Sequence, residues 1–351
     1  MLSVGLVGLP NAGKSTLFNL LTARSVPAEN FPFCTIEPAD GIVEVTDYRI
    51  KKLAEIVKAK KEVYSMIEFK DIAGLVKNAH QGAGLGNQFL SHIRECDMIL
   101  MVIRCFENDD IIHVENRVDP NDDAEILMLE LSMADQNSVE KMIPRLEKEL
   151  KTGKDKLGNV KIELLQKIQK ALNDIIPAST VTNPENCDVE VVKWRKSLNL
   201  LTDKPVIRLA NINYDGKNVE FKADFELDIK AESELADLTR EERIELGANE
   251  KSGLDRMITA CYQTLGLASF LTAGEIEARS WTFKQGITAS QCAGIIHTDF
   301  EKKFIKAEVI SYEDFITLGS RKVCIENGKA RQEGRDYLMQ DGDVVEFKIG
   351  G

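Results

Sequence analysis

The sequence contains no long apolar run, no C-x-x-C cysteine pair and no excess of positive charge. Its longest strongly apolar stretch, residues 98–103, is far too short to span a bilayer. The seven cysteines are scattered, with no histidine cluster beside them, so we expect reduced thiols rather than disulfides or zinc ligands. The first residues lack the basic segment of a secretion signal. We therefore expect a cytoplasmic protein without membrane contact.

Acidic residues outnumber basic ones by 57 to 45, which gives a formal net charge of −12. This balance argues against general affinity for nucleic acid, although it is compatible with a local basic face. A length of 351 residues is enough for two or three domains, each with its own core.

A phosphate-binding loop is the clearest motif in the chain. Residues 8–15 read Gly-Leu-Pro-Asn-Ala-Gly-Lys-Ser, between an apolar strand-like run and a helix-like segment. The glycines let backbone N–H groups curl around a polyphosphate, and the start of the helix favours its negative charge. Lys14 can reach the terminal phosphates, and the Ser15 hydroxyl can bind Mg²⁺. The alternative to nucleotide binding is a plain glycine turn between a strand and a helix.

Strand-like and helix-like segments alternate over residues 1 to about 125, and a further strand follows much later. The predicted strands of this pattern are 2–7, 41–45, 65–70, 98–105 and 205–211. Strands that alternate with helices form parallel sheets that helices cover on both faces. We therefore predict an α/β fold with a doubly wound sheet that an insertion interrupts.

The insertion is charged and helical. From about Ser132 to Asp174, apolar residues recur at helical spacing in two stretches, with Gly153 and Gly158 between them. This pattern predicts a helical hairpin or a short coiled coil. Its polar face carries more lysine and arginine than acid, the reverse of the whole chain. Such a face is either a solvated surface or one that approaches RNA.

The C-terminal region predicts a small mixed module of β-grasp type. The strand-like segments are 281–283, 307–309, 322–325 and 344–347, around a small helix at 290–296. Phe300 and Phe304 alternate with Lys302, Lys303 and Lys306, and we expect the phenylalanines to pack in the core.

A second motif indicates the class of nucleotide enzyme. Asp71-Ile72-Ala73-Gly74 follows a predicted strand, in the Asp-x-x-Gly form of GTPase-like proteins, where the carboxylate supports Mg²⁺ and the glycine N–H contacts the γ-phosphate. Thr35 is the candidate that completes the Mg²⁺ coordination, although it could be an ordinary loop threonine. Many GTPases then place a glutamine that orients water, whereas this chain has Leu75, so another group must position the water.

The loop expected to recognise the base is residues 211–214, Asn-Ile-Asn-Tyr. It lacks the lysine and the aspartate of the usual Asn-Lys-x-Asp, and Asp215 stands one position late. That aspartate accepts hydrogen bonds from guanine N1–H and from the 2-amino group, which adenine lacks. Its absence favours ATP over GTP.

Together these residues resemble the YchF, or Obg-like ATPase, family of P-loop proteins. Besides residues 8–16, the matching stretches are 30–38, 71–76, 84–90, 104–108, 296–302 and 341–344. The resemblance implies a P-loop NTPase (G) domain with an inserted coiled-coil arm and a C-terminal β-grasp TGS domain. The implied bounds are 1–127 and 199–266 for the two parts of the G domain, 128–198 for the arm and 267–350 for the TGS domain.

The resemblance also implies hydrolysis of ATP in preference to GTP and association with the ribosome. The large subunit is the expected partner, with rRNA or tRNA contacted through the arm and the TGS domain. The expected nucleotide contacts are Asn11, Ala12, Gly13, Lys14, Ser15, Thr16, Asn211 and Ile212. Ser15 and Thr35 match the family's magnesium ligands, to which the second motif adds Asp71. The expected catalytic residues are Lys14, Gly74 and His113.

Two roles in this set have a specific rationale. His113, with an ordinary pKa near 6.5, could orient the attacking water when its loop closes. In related GTPases the asparagine at the position of Asn11 helps to coordinate K⁺ in place of an arginine finger. We therefore expect Mg²⁺, and K⁺ beside it, as cofactors.

The chain departs from the family pattern at two positions. Relatives commonly have glutamate where this chain has Tyr214, and a Ser-Ala-Lys loop where it has Asp228-Ile229-Lys230. Two other functional classes stay open. One is a GTPase ribosome-assembly factor of the Obg type, and the other is a ribosome or RNA adaptor for which hydrolysis is incidental.

Overall fold

A computed structural model defines the fold over most of the chain. The described residues are 2–24, 40–72, 85–108, 117–152, 156–184, 187–236, 238, 242, 245 and 251–350. Close contacts divide the chain into two compact units. The first unit contains Leu2–Gly41 and Glu68–Leu254, and the second contains Ile42–Ile67 and Asp255–Gly351.

The described strands form two six-stranded sheets. The strands are β1 Ser3–Val7, β2 Asp40–Val45, β3 Glu62–Val63, β4 Ser65–Asp71, β5 Met98–Arg104, β6 Val206–Asn211, β7 Phe225–Leu227, β8 Leu267–Ala273, β9 Ala278–Lys284, β10 Phe304–Ser311, β11 Arg331–Glu333 and β12 Asp343–Ile349.

The described helices include every helix that the sequence analysis predicts. They are α1 Lys14–Ala23, α2 Tyr48–Val57, α3 Leu85–Glu95, α4 Pro120–Lys151, α5 Gly158–Asn173, α6 Val189–Ser197, α7 Ile229–Glu234, α8 Gly253–Thr264, α9 Ala289–Ile296, α10 Thr298–Lys302, α11 Tyr312–Leu318 and α12 Arg321–Glu326. In the described parts of the chain, no helix combines the length and the apolar character needed to cross a membrane.

The first sheet has the strand order β2-β4-β1-β5-β6-β7. β1 pairs in parallel with β4 and β5, and β6 and β7 continue the parallel arrangement. Every residue of β1 and β5 is buried, as expected for continuous apolar strands with both faces covered. The predicted α/β fold with a parallel sheet is confirmed.

α4 links the sheet to the helical insertion. The Asp119 side chain caps it by accepting from the Asp122 N–H, and a proline occupies its first turn. Leu127 and Leu131 in its first half pack in the core beside the sheet. The predicted start of the insertion at residue 128 therefore falls inside one continuous helix.

The second half of α4 packs against α5, as the apolar spacing predicts. Both helices contribute to a core that also includes residues from the segments after α5. Its buried members on the two helices are Val139, Leu146, Leu164, Leu165, Ile168 and Leu172. Gly158, predicted as part of the turn, is the first residue of α5.

The second unit contains a mixed sheet of order β11-β10-β12-β8-β9-β3. β10 lies antiparallel to β11 and β12, β12 is parallel to β8, and β8 is antiparallel to β9. The small helix α9 packs on this sheet, and the core includes Phe304, with Phe300 partly buried beside it. Both phenylalanines therefore have the packing role that we expected.

The strand predicted at 322–325 is wrong, because these residues form α12. The Ser320 side chain accepts from the Val323 N–H and caps this helix. Within the helix only Cys324 is buried, which is the pattern of a short surface helix and not of a strand. The β-branched residues suggested a strand, and the cap outweighed them.

Residues 42–67 belong by their contacts to the second unit, which the sequence did not indicate. Ile50 and Leu53 of α2 share a core with Leu271 of β8. The Arg49 guanidinium donates to both Asp47 and Asp341. The four-part division with a TGS domain stays a prediction.

Candidate functional site

The phosphate loop lies between β1 and α1 and has two backbone conformations that restrict its sequence. Gly13 has φ +97° and Asn11 has φ +65°, both in the left-handed region. A Cβ on Gly13 would lie 2.3 Å from Asn211 Nδ2. A Cβ on Gly8 would lie 2.7 Å from the carbonyl oxygen of Val102. Both glycines are therefore required by close approach.

Lys14 and Asp71 meet at the edge where β1 and β4 end. The Lys14 ammonium donates to the Asp71 carboxylate, and the two side chains are 8% and 28% exposed. Ser15 and Thr16 follow in the first turn of α1 and are exposed. The parallel pairing of β1 with β4 explains this proximity, because parallel strands end at the same edge.

A cavity of about 830 Å³ opens beside this loop, large enough for a nucleotide. Four segments of the first unit line it: the phosphate loop, Phe106 and Asn108 beyond β5, residues 211–213 at the end of β6, and the start of α7 from Asp228. The cavity therefore lies at the carboxyl ends of parallel strands, the usual ligand position in such sheets.

Asn211 connects three parts of this cavity. It is 5% exposed, and its Nδ2 donates to the Ala12 carbonyl at 3.0 Å. Its Oδ1 accepts from the Ile229 N–H at 3.3 Å. Asn211 thus joins the phosphate loop to the start of α7, in addition to lining the cavity. From the sequence we expected only a nucleotide contact at Asn211.

Asp228 is a residue of the cavity to which the sequence analysis gave no role. It is 5% exposed, and its Oδ2 accepts from the Tyr214 N–H at 2.9 Å. Its Oδ1 accepts from the Ala231 N–H at 2.8 Å, which makes it the N-cap of α7. An aspartate just before a helix is a recognisable cap signal. Its bond to a loop 14 residues earlier is not readable from the sequence.

Arg104 is a second residue of this region whose role the sequence does not indicate. It is 1% exposed, although it carries a guanidinium group. The group donates to the carbonyl oxygens of Phe106 at 3.2 Å and Asn108 at 3.1 Å, and it lies over the Phe106 ring. Because Phe106 and Asn108 line the cavity, Arg104 supports that wall from inside the protein.

Several predicted site residues lie outside the described residues. They are Thr35, Gly74, Leu75 and His113. The roles of these four residues stay predictions. The roles of the predicted site residues that the structure does describe also stay predictions.

The described oxygen donors fit the chemistry of Mg²⁺. This ion prefers carboxylate, hydroxyl and phosphate oxygens and retains several waters, so it needs few protein ligands. The Asp71 carboxylate beside Lys14 and the Ser15 hydroxyl on the next residue are donors of this type. Among the described residues, no cluster of three or more His, Cys, Asp or Glu side chains could hold a metal ion. Asn11 is exposed beside the cavity, where a K⁺ role stays a prediction.

Two protein-family models match parts of the chain. Residues 3–141 match the family model described as a 50S ribosome-binding GTPase. Residues 267–350 match the C-terminal YchF-GTPase model, described as a protein of unknown function (DUF933).

Similar proteins match over almost their whole length. The Ribosome-binding ATPase YchF of Bacillus subtilis is 48% identical, over 99% of both chains. That of Haemophilus influenzae is 46% identical, over 98% of both. The solved structure of the Schizosaccharomyces pombe YchF GTPase is 36% identical and has a TM-score of 0.83, with 99% of this chain and 97% of that chain covered. The chain therefore belongs to the YchF family.

Proposed function

We propose that the protein is an ATPase that hydrolyses Mg·ATP and associates with the ribosome in a nucleotide-dependent way, as a regulator of translation or of a stress response. The observation that carries this proposal is the cavity between the phosphate loop and residues 211–213. Relatives named ribosome-binding ATPases support it. Association with the ribosome would also explain the expected cytoplasmic location.

The phosphate end of the cavity supports in-line attack of water on the γ-phosphate. Lys14 lies at the loop with its ammonium on the side of Asp71, where it can neutralise charge on the terminal phosphates. The N–H groups of residues 11–16 can bind the other phosphate oxygens. Ser15, Asp71 and Thr35 would hold Mg²⁺, which supplies positive charge to the β- and γ-phosphate oxygens.

The residues at the base end of the cavity favour adenine over guanine. Tyr214 occupies the position of the guanine-binding aspartate, and this residue is 61% exposed. The chain therefore offers no carboxylate at the position that normally accepts from guanine N1–H. We propose that the backbone at Ile212 contacts adenine instead. Titration of nucleotide-free protein tests this proposal: we expect tighter binding of ATP than of GTP, and equal affinities or tighter GTP binding would contradict it.

We propose that His113 positions the attacking water, because the side chain of Leu75 cannot form a hydrogen bond. We expect His113→Ala to bind ATP normally and to hydrolyse it at least ~10-fold more slowly. A wild-type rate of hydrolysis in this variant would show that His113 does not position the water. The proposed K⁺ role of Asn11 is separate, and it is tested by replacing K⁺ with Na⁺ in the same assay.

The proposed contact with the ribosome uses the exposed lysines of the arm, including Lys141, Lys148 and Lys151. We propose that these side chains contact the phosphates of rRNA or tRNA on the large subunit, with the TGS domain of this chain as a second contact surface. Co-sedimentation with separated ribosomal subunits should show binding to the large one. A Lys148→Glu, Lys151→Glu double variant should lose it, while the charge-matched Lys51→Glu, Lys52→Glu variant of α2, outside the arm and the predicted TGS domain, serves as the control.

A GTPase is the second candidate, since the Schizosaccharomyces pombe relative of known structure is called a GTPase. An adaptor with incidental hydrolysis is the third. Ribosome binding that is unchanged in Lys14→Ala would favour the adaptor, because that variant removes the side chain nearest the terminal phosphates.

A further inference from the structure

Asp228 is a buried carboxylate that is hydrogen-bonded to the backbone of the base-binding loop. Its two oxygens accept from the N–H groups of Tyr214 and Ala231, at 2.9 Å and 2.8 Å. The residue lines the nucleotide cavity and is 5% exposed. It thus connects the last residue of the loop 211–214 to the first turn of α7.

Other hydrogen bonds hold residues 212 and 213 of the loop. Asp228 holds its last residue, Tyr214. The Ile212 N–H donates to the Leu227 carbonyl at 3.0 Å, in continuation of the pairing of β6 with β7. The Asn218 side chain accepts from the Asn213 N–H and donates to its carbonyl. For the Tyr214 N–H, the bond that the structure gives is the one to Asp228.

The two hydrogen bonds that Asp228 accepts are of a strong kind. Hydrogen bonds to a charged acceptor are shorter and stronger than neutral ones, and here two of them converge on one buried carboxylate. Replacement by asparagine keeps the size but exchanges one acceptor oxygen for an N–H₂ donor, which would face a backbone N–H. One of the two backbone groups then loses its partner, and the loop loses its fixed position.

We propose that Asp228 is a positioning residue for nucleotide recognition: it fixes the base-binding loop, and so sets the affinity for the purine without contacting it. The inference rests on the proposed nucleotide-binding function of this cavity. It assigns a role to a residue at which the chain departs from the family pattern.

The test compares Asp228→Asn with the wild-type protein by titration with three ligands. They are ATP, purine riboside triphosphate, which lacks the 6-amino group, and inorganic tripolyphosphate, which lacks a base. Asp188→Asn is the matched control, because Asp188 also caps a helix, α6, by accepting from the Glu190 N–H, and does not line the cavity.

We expect Asp228→Asn to bind ATP and purine riboside triphosphate about ten-fold more weakly, by the same factor for both. A ten-fold change corresponds to about 1.4 kcal/mol. Tripolyphosphate should bind both proteins equally, which also shows that the variant is folded. Asp188→Asn should bind all three ligands as the wild type does.

Two results would overturn the inference. One is unchanged ATP affinity in Asp228→Asn, and the other is a loss confined to ATP, which would mean that the carboxylate accepts directly from the 6-amino group. Failure of the wild-type protein to bind either ATP or GTP would instead contradict the proposed function, so the two failures are distinguishable.

Discussion

At the scale of single residues, the cavity depends on buried polar side chains that hold backbone segments together. Asn211, Asp228 and Arg104 all do this, and each is at most 5% exposed. The motifs of the phosphate loop are readable from the sequence because the chemistry is local. Asn211 and Asp228 each have a partner that only the tertiary fold brings near, so these roles are not readable. The partners of Arg104 are close in sequence, but the burial of its guanidinium is a property of the fold.

Asn211→Ala tests this dependence. The change leaves the Ala12 carbonyl and the Ile229 N–H without their side-chain partner, at a cost of about 1–3 kcal/mol. We expect a lower free energy of unfolding in urea and weaker binding of ATP. Asn173→Ala, at an exposed position on the arm, is the control. Wild-type stability and affinity in Asn211→Ala would show that the side chain has no such role.

The cysteines give a second prediction at this scale. The six cysteines in the described parts of the chain are all free thiols. Burial raises the pKa of Cys105, Cys261 and Cys292 to about 12, so these groups stay protonated at neutral pH and are poor nucleophiles. Cys187 is only partly buried.

We therefore expect iodoacetamide at about pH 8 to alkylate Cys187 well before those three in the native protein. Raising the pH to about 9 increases the thiolate fraction of these three about ten-fold but leaves it below about 1%, so their labelling should stay far slower than that of Cys187. Peptide mass spectrometry would measure the order. Equally fast labelling of Cys261 and Cys187 without denaturant would contradict the burial described here.

At the scale of elements, the segment that leaves β5 is held by Arg104. Arg104→Met keeps much of the side-chain volume and removes the donors to the carbonyls of Phe106 and Asn108. We expect a loss of about 1–3 kcal/mol in the free energy of unfolding and slower ATP hydrolysis, because His113 follows this segment five residues later in the sequence. Hydrogen exchange should increase in residues 105–108.

Arg208→Met is the matched control for that variant, because Arg208 lies on the neighbouring β6 but pairs with Asp224 at an exposed site. Exposed pairs contribute little to stability. If both variants lose the same stability, or if Arg104→Met hydrolyses ATP normally, Arg104 does not support this wall of the cavity.

Most elements of the first unit are predictable from the sequence, since apolar strands and helical stripes are local patterns. The hairpin of α4 and α5 follows from the helical spacing of apolar residues such as Leu146, Leu164 and Ile168, which are buried together. The wrong strand at 322–325 has a different cause, because so short a segment cannot show a period. The cap at Ser320 decided the structure there.

At the scale of the whole molecule, the contact pattern differs from the order of the sequence. Residues 42–67 follow the segment that contains Thr35, and their contacts group them with the C-terminal part of the chain. The core shared by Ile50 and Leu271 joins residues far apart in the chain. No local pattern encodes such pairing, which is why the sequence did not reveal it.

Charge is also distributed unevenly over the molecule. The chain has a net charge of −12, and yet the arm presents exposed lysines. This asymmetry is what a protein needs if it approaches a polyanion by one face only. It supports the proposed ribosome contact through the arm without implying general affinity for nucleic acid.

The central prediction is that the protein prefers ATP to GTP, and a competition assay tests it most directly. Nucleotide-free protein is given equal concentrations of ATP and GTP with Mg²⁺ and K⁺, and the ADP and GDP that form are quantified over time, with Lys14→Ala as the background. The base loop without a guanine-binding aspartate predicts that ADP accumulates several-fold faster than GDP. Faster accumulation of GDP would contradict the account.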